Sequence, residues 1–129
     1  MKELIITLFV LYIIYRLYKS FDKSINERQN AEEMIVKFSR QIGVTPNNPR
    51  AYFLRGTCHQ RLMNYRVAID DYSKALELNP DNKSFKFEDS YATFDNITIL
   101  RNRSSAKSSL GDKFGAEQDL QLINKILGR

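Results

Sequence analysis

PRAYFLRGTCHQRLMNYRVAIDDYSKALELNPDN, Pro49–Asn82, places small residues, aromatic rings and a proline at the spacings of two antiparallel helices packed on each other. Gly56 and Ala68 are small where two helix backbones would approach closely, and Tyr52 and Tyr72 are large where the gap must be filled. The set Ala68, Tyr72, Ala75 and Leu76 falls on one face at helical spacing. Pro80 follows Ala75-Leu76-Glu77-Leu78-Asn79 and stops the second helix, because the residue before a proline avoids the α region.

Sliding the chain against itself by 48 residues reveals a second copy. Arg55-Gly56 then lies over Arg103-Ser104, Leu62 over Leu110, Ala68 over Ala116 and Asp71 over Asp119. Tyr72 lies over Leu120, Ala75 over Ile123 and Leu78 over Ile126. A partial third copy precedes both, since Met34, Phe38, Ile42 and Pro46-Asn47-Asn48 repeat the spacing of Ala68, Tyr72, Leu76 and Pro80-Asp81-Asn82. That segment reads as a lone second helix.

The residues Tyr52, Arg55-Gly56 and His59, then Ala68, Tyr72, Ala75 and Pro80, resemble the tetratricopeptide repeat, a helix-turn-helix unit of about 34 residues. The match departs from the family at Arg55, where Leu is usual, and at His59, where Tyr is usual. The resemblance implies an all-α fold, a short helical-repeat array of antiparallel helix pairs preceded by an N-terminal apolar helix. Helices are expected over 49–63, 66–79, 96–110 and 114–127, with Asp95 as a cap and Gly111-Asp112 as a turn. The 48-residue offset exceeds the usual period, so an insertion is expected at 83–94. Its aromatic content is too high for a free linker. It is expected to fold back on the array, the alternative being a loop that grips a partner.

In this family the first helices line a concave groove that holds peptides. The groove positions transfer to Arg50, Phe53, Leu54, Thr57, Gln60 and Arg61, and from the second copy to Thr98, Arg101, Asn102, Ser105 and Ser108. Relatives that grip chaperone C-termini use a Lys and an Asn where this chain has Phe53 and Thr57, so that activity does not carry over. Three arginines beside Phe53 point to an acidic or mixed peptide, because guanidinium groups bind carboxylates in bidentate fashion. Surface arginines with no specific role are the competing reading.

Composition is that of a folded protein, with 43% hydrophobic and 27% charged residues in 129. The net charge of +5 is spread along the chain with acids interleaved, which argues against the concentrated basic stripe of a nucleic-acid binder. A single cysteine excludes an internal disulfide framework. His59 and Cys58 are neighbours in a helix and point about 100° apart, so they form no catalytic pair. No phosphate-cradling loop, metal-ligand spacing or nucleophile motif occurs, so neither enzyme activity nor a cofactor is expected.

Leu4–Tyr15, LIITLFVLYIIY, carries no charge and is apolar on every side of a helix, so it must be buried in protein or lipid. Met1 to Tyr18 would rise about 27 Å, close to the hydrocarbon thickness of a bilayer. The segment 1–19 is therefore expected to anchor the chain in a membrane, with a cleaved signal or a helix buried in an assembly as alternatives. After Tyr15 comes Arg-Leu-Tyr-Lys-Ser-Phe, which lacks the small residues of a cleavage site. Arg16, Lys19, Lys23 and Arg28 flank the segment on its C-terminal side, which places the remainder in the cytoplasm by the positive-inside rule.

The expected organisation is an anchor (1–19), a juxtamembrane helix and half-repeat (20–48), a first repeat (49–82), the aromatic insertion (83–94) and a second repeat (95–127). The expected function is a non-catalytic, single-pass membrane-anchored adaptor that binds a protein or peptide partner. The alternative is a soluble, basic, RNA-associated or oligomer-forming helical module with its N-terminal segment buried. Leu122 and Ile126 form an apolar stripe on the last helix where repeat 1 has Lys74 and Leu78, and are expected to meet a second copy or another protein.

Overall fold

The computed structural model describes residues 1–87 and 90–129; Glu88 and Asp89 of the insertion lie outside the described residues. Five helices run in order: α1 (Lys2–Val44), α2 (Pro49–Arg61), α3 (Tyr65–Glu77), α4 (Asn96–Ser109) and α5 (Lys113–Ile126). Between α3 and α4 lies a two-stranded antiparallel hairpin, β1 (Phe85–Lys86) and β2 (Thr93–Phe94). The fold is an all-α helical repeat, and α2 to α5 each end within about two residues of the expected limit, the usual scatter of frayed termini.

Met1–Asn30 and Ala31–Arg129 are two compact units. The first is the apolar and polar beginning of α1, all of it exposed, including Leu4, Ile5, Phe9, Leu11 and Ile14. The second begins with the C-terminal part of α1, whose Ala31 and Phe38 are buried in the core. Helices then pack in succession, α2 on α3, α3 on α4 and α4 on α5.

Local chemistry starts each helix where the sequence allows. The Asn48 side chain accepts from the Arg50 and Ala51 amides, and Pro49 occupies the first turn, where its missing N–H costs nothing. The Asp95 carboxylate accepts from the Ile97 and Thr98 amides, and Asp112 from Gly115 N at 2.8 Å. Gly111 takes φ +84° in the α4–α5 turn, a conformation for which a side chain is a liability. The Asn79 and Asn96 side chains, both buried, bond each other at 2.8 Å and so tie the end of repeat 1 to the start of α4.

The close approach expected at Gly56 is real. A Cβ there would lie 2.8 Å from a carbon of the Tyr72 ring, so α2 and α3 could not pack this tightly around any larger residue. Ala68, Tyr72 and Ala75 are fully buried.

Candidate functional site

Residues on α2 at 53, 57, 60 and 61, and on α4 at 98, 101, 102, 105 and 108, recur at helical spacing and share one face of each helix. Gln60 joins the two faces. Its amide nitrogen approaches Ser105 Oγ at 3.4 Å, and its oxygen accepts the Tyr72 hydroxyl at 2.7 Å. The neighbouring Asn102 side chain favours the ionised form of the Tyr72 hydroxyl. Burial nevertheless pushes this phenol well above its ordinary value, so it acts as a fixed neutral donor.

The face divides into a closed and an open part. At the closed end, Phe53 and Leu54 were expected to line the groove, but both are buried core residues, at 1% and 8% exposure. For Phe53 the physical reason is the insertion, whereas Leu54 belongs to the buried core cluster. Phe53 stacks on Phe94 at a centroid distance of 4.2 Å and also meets Phe87 at 6.2 Å and Tyr72 at 5.8 Å. Phe85 and Phe87 in turn meet Phe94, at 5.7 and 5.0 Å. Arg50 Nε donates to the Lys86 carbonyl at 2.8 Å, a bond that holds the first helix and the hairpin together. Thr57 is half-buried and turns its hydroxyl back to the Leu54 carbonyl at 2.7 Å.

At the open end, Arg61, Arg101, Ser105 and Ser108 are exposed, while Gln60, Thr98 and Asn102 are half-buried. Leu122 and Ile126 on α5 are 45% and 42% exposed.

Two further functional groups are structural, and the sequence had shown one of them as a defect. Arg55, apparently a departure from the repeat pattern, makes a bidentate pair with buried Asp71 at 2.9 and 2.7 Å. Its remaining nitrogen reaches Ser39 of α1 at 3.2 Å. The arrangement recurs at the 48-residue offset: Arg103 pairs with Asp119 at 3.0 and 2.6 Å and reaches Ser73 of α3 at 3.0 Å. Each arginine thus closes its own helix pair and fastens it to the second helix of the pair before. The hydrogen bonds that the guanidinium donates to Asp71, above all, hold Arg55 above its ordinary value against the opposing effect of burial. The signal was present in the sequence, because Arg and Asp keep a separation of 16 residues in both copies.

His59 and Cys58 carry no site chemistry. Burial pushes the Cys58 thiol up, away from the reactive thiolate. Burial likewise pushes His59 down, and among the described residues its buried Nδ1 has no hydrogen-bond partner. No group of three or more acidic, Cys or His residues that could hold a metal occurs among the described residues.

Residues 49–82 match the tetratricopeptide repeat family. The human protein SGT1 homolog is 30% identical over 69 residues, covering 54% of this chain and 19% of its own length. A DnaJ homolog subfamily C member 7 homolog of Dictyostelium discoideum is 30% identical over 67 residues, 52% of this chain and 12% of its own. The chain therefore spans a fifth or less of these relatives. Among solved structures, the Yersinia enterocolitica type III secretion translocator chaperone SycD superposes with a TM-score of 0.63 at 16% identity, covering 82% of this chain and 71% of that one. The second repeat domain of Spaghetti (RPAP3), bound to the HSP90 peptide SRMEEVD, gives 0.56 at 18% identity, covering 78% and 88%. At such identities the likeness is one of fold. Residues 49–82 are thus similar to a tetratricopeptide repeat, and they lie in an all-α helical-repeat fold.

Proposed function

We propose that this chain is a non-catalytic adaptor, anchored in a membrane by residues 1–19, whose cytoplasmic repeat domain holds an acidic protein or peptide segment on the open end of its concave face. The observation that carries the reading is the contrast among its arginines. Arg55 and Arg103 are consumed by buried carboxylates, whereas Arg61 and Arg101 are exposed and have no ion-pair partner among the described residues. Gln60, Asn102 and Ser105 lie beside them and supply neutral donors and acceptors. One structural neighbour holds an acidic peptide, SRMEEVD, and the repeat fold is one on which interaction scaffolds are built. In this chain the cationic contacts would come from Arg61 and Arg101, since Phe53 is covered.

Support for the anchor is the first part of α1, which is long and apolar enough to cross a bilayer and has none of that stretch buried. Basic residues at 16, 19, 23 and 28 favour a cytoplasmic repeat domain. Leu122 and Ile126 supply a second contact surface, proposed to meet a second copy of the chain.

Two measurements test the proposal. The protein should remain in the membrane fraction after alkaline extraction, and Val10→Arg, at about 2.5–3.5 kcal/mol of insertion free energy, should release much of it. Arg61→Glu with Arg101→Glu should abolish capture of partners from native membranes while the helical signal persists; undiminished capture by this variant refutes the acidic-partner reading.

A further inference from the structure

The concave face is closed at one end by the chain's own insertion, and the closing segment has the form of a bound peptide. β1 is extended and Phe87, the residue after it, continues the pairing through its amide to the Ala92 carbonyl, so Phe85 and Phe87, two residues apart, project to the same side. Both rings lie against Phe94, and Phe87 also meets Phe53, while Lys86 between them is exposed. Arg50, a residue of the groove set, donates to the Lys86 main-chain carbonyl as it would to a ligand backbone. The four rings differ in depth. Phe53 and Phe94 are almost fully buried, whereas Phe85 and Phe87 are only partly so. The first pair is a floor and the second an occupant.

The occupant is lightly held. β1 and β2 pair over two residues each, with one further bond from Phe87 N to the Ala92 carbonyl. A two-stranded hairpin of that length has little stability of its own, so its place depends on the rings beneath it. An extended segment from another protein, set beside β2, could make the same main-chain bonds and bury the same two rings, which is recognition by strand addition.

We infer that the floor formed by Phe53 and Phe94, with Arg50 at its edge, is a binding site for an extended peptide of pattern Phe-x-Phe, and that β1 occupies it in cis until such a peptide displaces it. The inference rests on the concave face being the partner-binding face and adds a second element to the ligand: aromatic residues for the closed end, acidic ones for the open end. Self-occupancy lowers the apparent affinity by the fraction of molecules whose site is vacant.

The test uses the full chain in detergent and a fluorescent peptide containing Ser-Phe-Lys-Phe, the sequence of residues 84–87. Phe85→Ala with Phe87→Ala removes the occupant's rings and leaves Phe53, Phe94 and Arg50 in place. This variant should bind the peptide at least about tenfold more tightly than the unaltered chain, as expected for relief of a site that is vacant in a minor fraction of molecules. A peptide with alanine at both phenylalanines should not bind, and Arg50→Gln added to the variant should weaken binding severalfold. Equal binding of the alanine peptide, or no gain on emptying the site with helical structure intact, overturns the inference. Loss of the cooperative melt in the double variant also overturns it, because the two rings would then be core. If the peptide fails but Arg61→Glu with Arg101→Glu still abolishes partner capture, the aromatic site falls and the adaptor reading stands.

Discussion

Repeat 1 (α2 and α3) and repeat 2 (α4 and α5) use the same polar joint around different interiors. At position 72 repeat 1 has a fully buried tyrosine that meets Phe53, itself stacked on Phe94; at the equivalent position 120 repeat 2 has a leucine that is 44% exposed. At position 56 there is a glycine pressed on that ring, and at 104 a buried serine that bonds the Ala116 carbonyl at 3.0 Å. At position 59 there is a histidine, and at 107 a lysine whose Nζ lies 3.1 Å from Asp119. Asp71 thus has one cationic partner in a ring-filled interior, and Asp119 has two in a thinner one. The contrast shows how a repeat tolerates loss of its aromatic core: the carboxylate at its centre gathers more positive charge.

The sharpest way to break this comparison is to remove each carboxylate. Asp119→Ala leaves two partly buried cations without the carboxylate they share and should cost about 3–5 kcal/mol, as for other buried pairs deprived of one member. Asp71→Ala strands only Arg55 and should cost less, near the lower end of that range. Urea unfolding of the two variants would show it, and equal losses would mean that the second cation contributes nothing. Next in size is Gly56→Ala, which drives a methyl group into the Tyr72 ring and should cost about 1–3 kcal/mol. Ser104→Ala, at the equivalent place, gives up one hydrogen bond and should cost about 1 kcal/mol in the same melts.

Smaller still in stability is Leu122→Lys with Ile126→Lys, which replaces half-exposed residues and should shift unfolding by no more than about 0.5 kcal/mol for each. Its effect is expected in sedimentation of the detergent-solubilised protein, as a shift from dimer toward monomer; a wild-type chain that is monomeric at tens of micromolar would remove the self-association proposal. The smallest effect concerns His59. Burial lowers its folded value below the unfolded one, opposed by Asp71 and aided by Arg55, so the folded state binds fewer protons. Its contribution is fully present above about pH 6.5, the unfolded value, and is lost as pH falls through the window beneath it. Melting temperature should therefore decline on acidification in that window. His59→Tyr, which restores the family's residue, should flatten the decline.

Much of this architecture was legible because tight packing leaves a mark in residue size. Gly56, Ala68, Ala75 and Pro80 bounded two helices, and the 48-residue offset located two more. Asp95 was legible as a cap because its position before a helical pattern leaves it little else to do. The ion pairs were not read, since a single arginine at an apolar position looks like a mismatch until its carboxylate, 16 residues on, is placed opposite it. Phe53 belongs to the core for a related reason. Its position on α2 faces the groove, and only the return of Phe87 and Phe94 from the insertion covers it. Pairings across an intervening helix or hairpin leave no periodic trace in a single copy.

The outer side of α5 has a consequence for how the array opens. Where α3 presents Tyr65, Ile69 and Leu76 to the core, the equivalent positions of α5 are Lys113, Glu117 and Asn124, all exposed. In a stacked array each unit is held by its own folding and by its neighbours, and α5 packs on α4 while Leu120, Leu122 and Ile126 are already exposed. Brief separation of α5 alone therefore exposes less apolar surface than separation of α3. Its amide hydrogens should exchange with solvent before those of α2 and α3, and the order of exchange along the chain would map the direction in which the array comes apart.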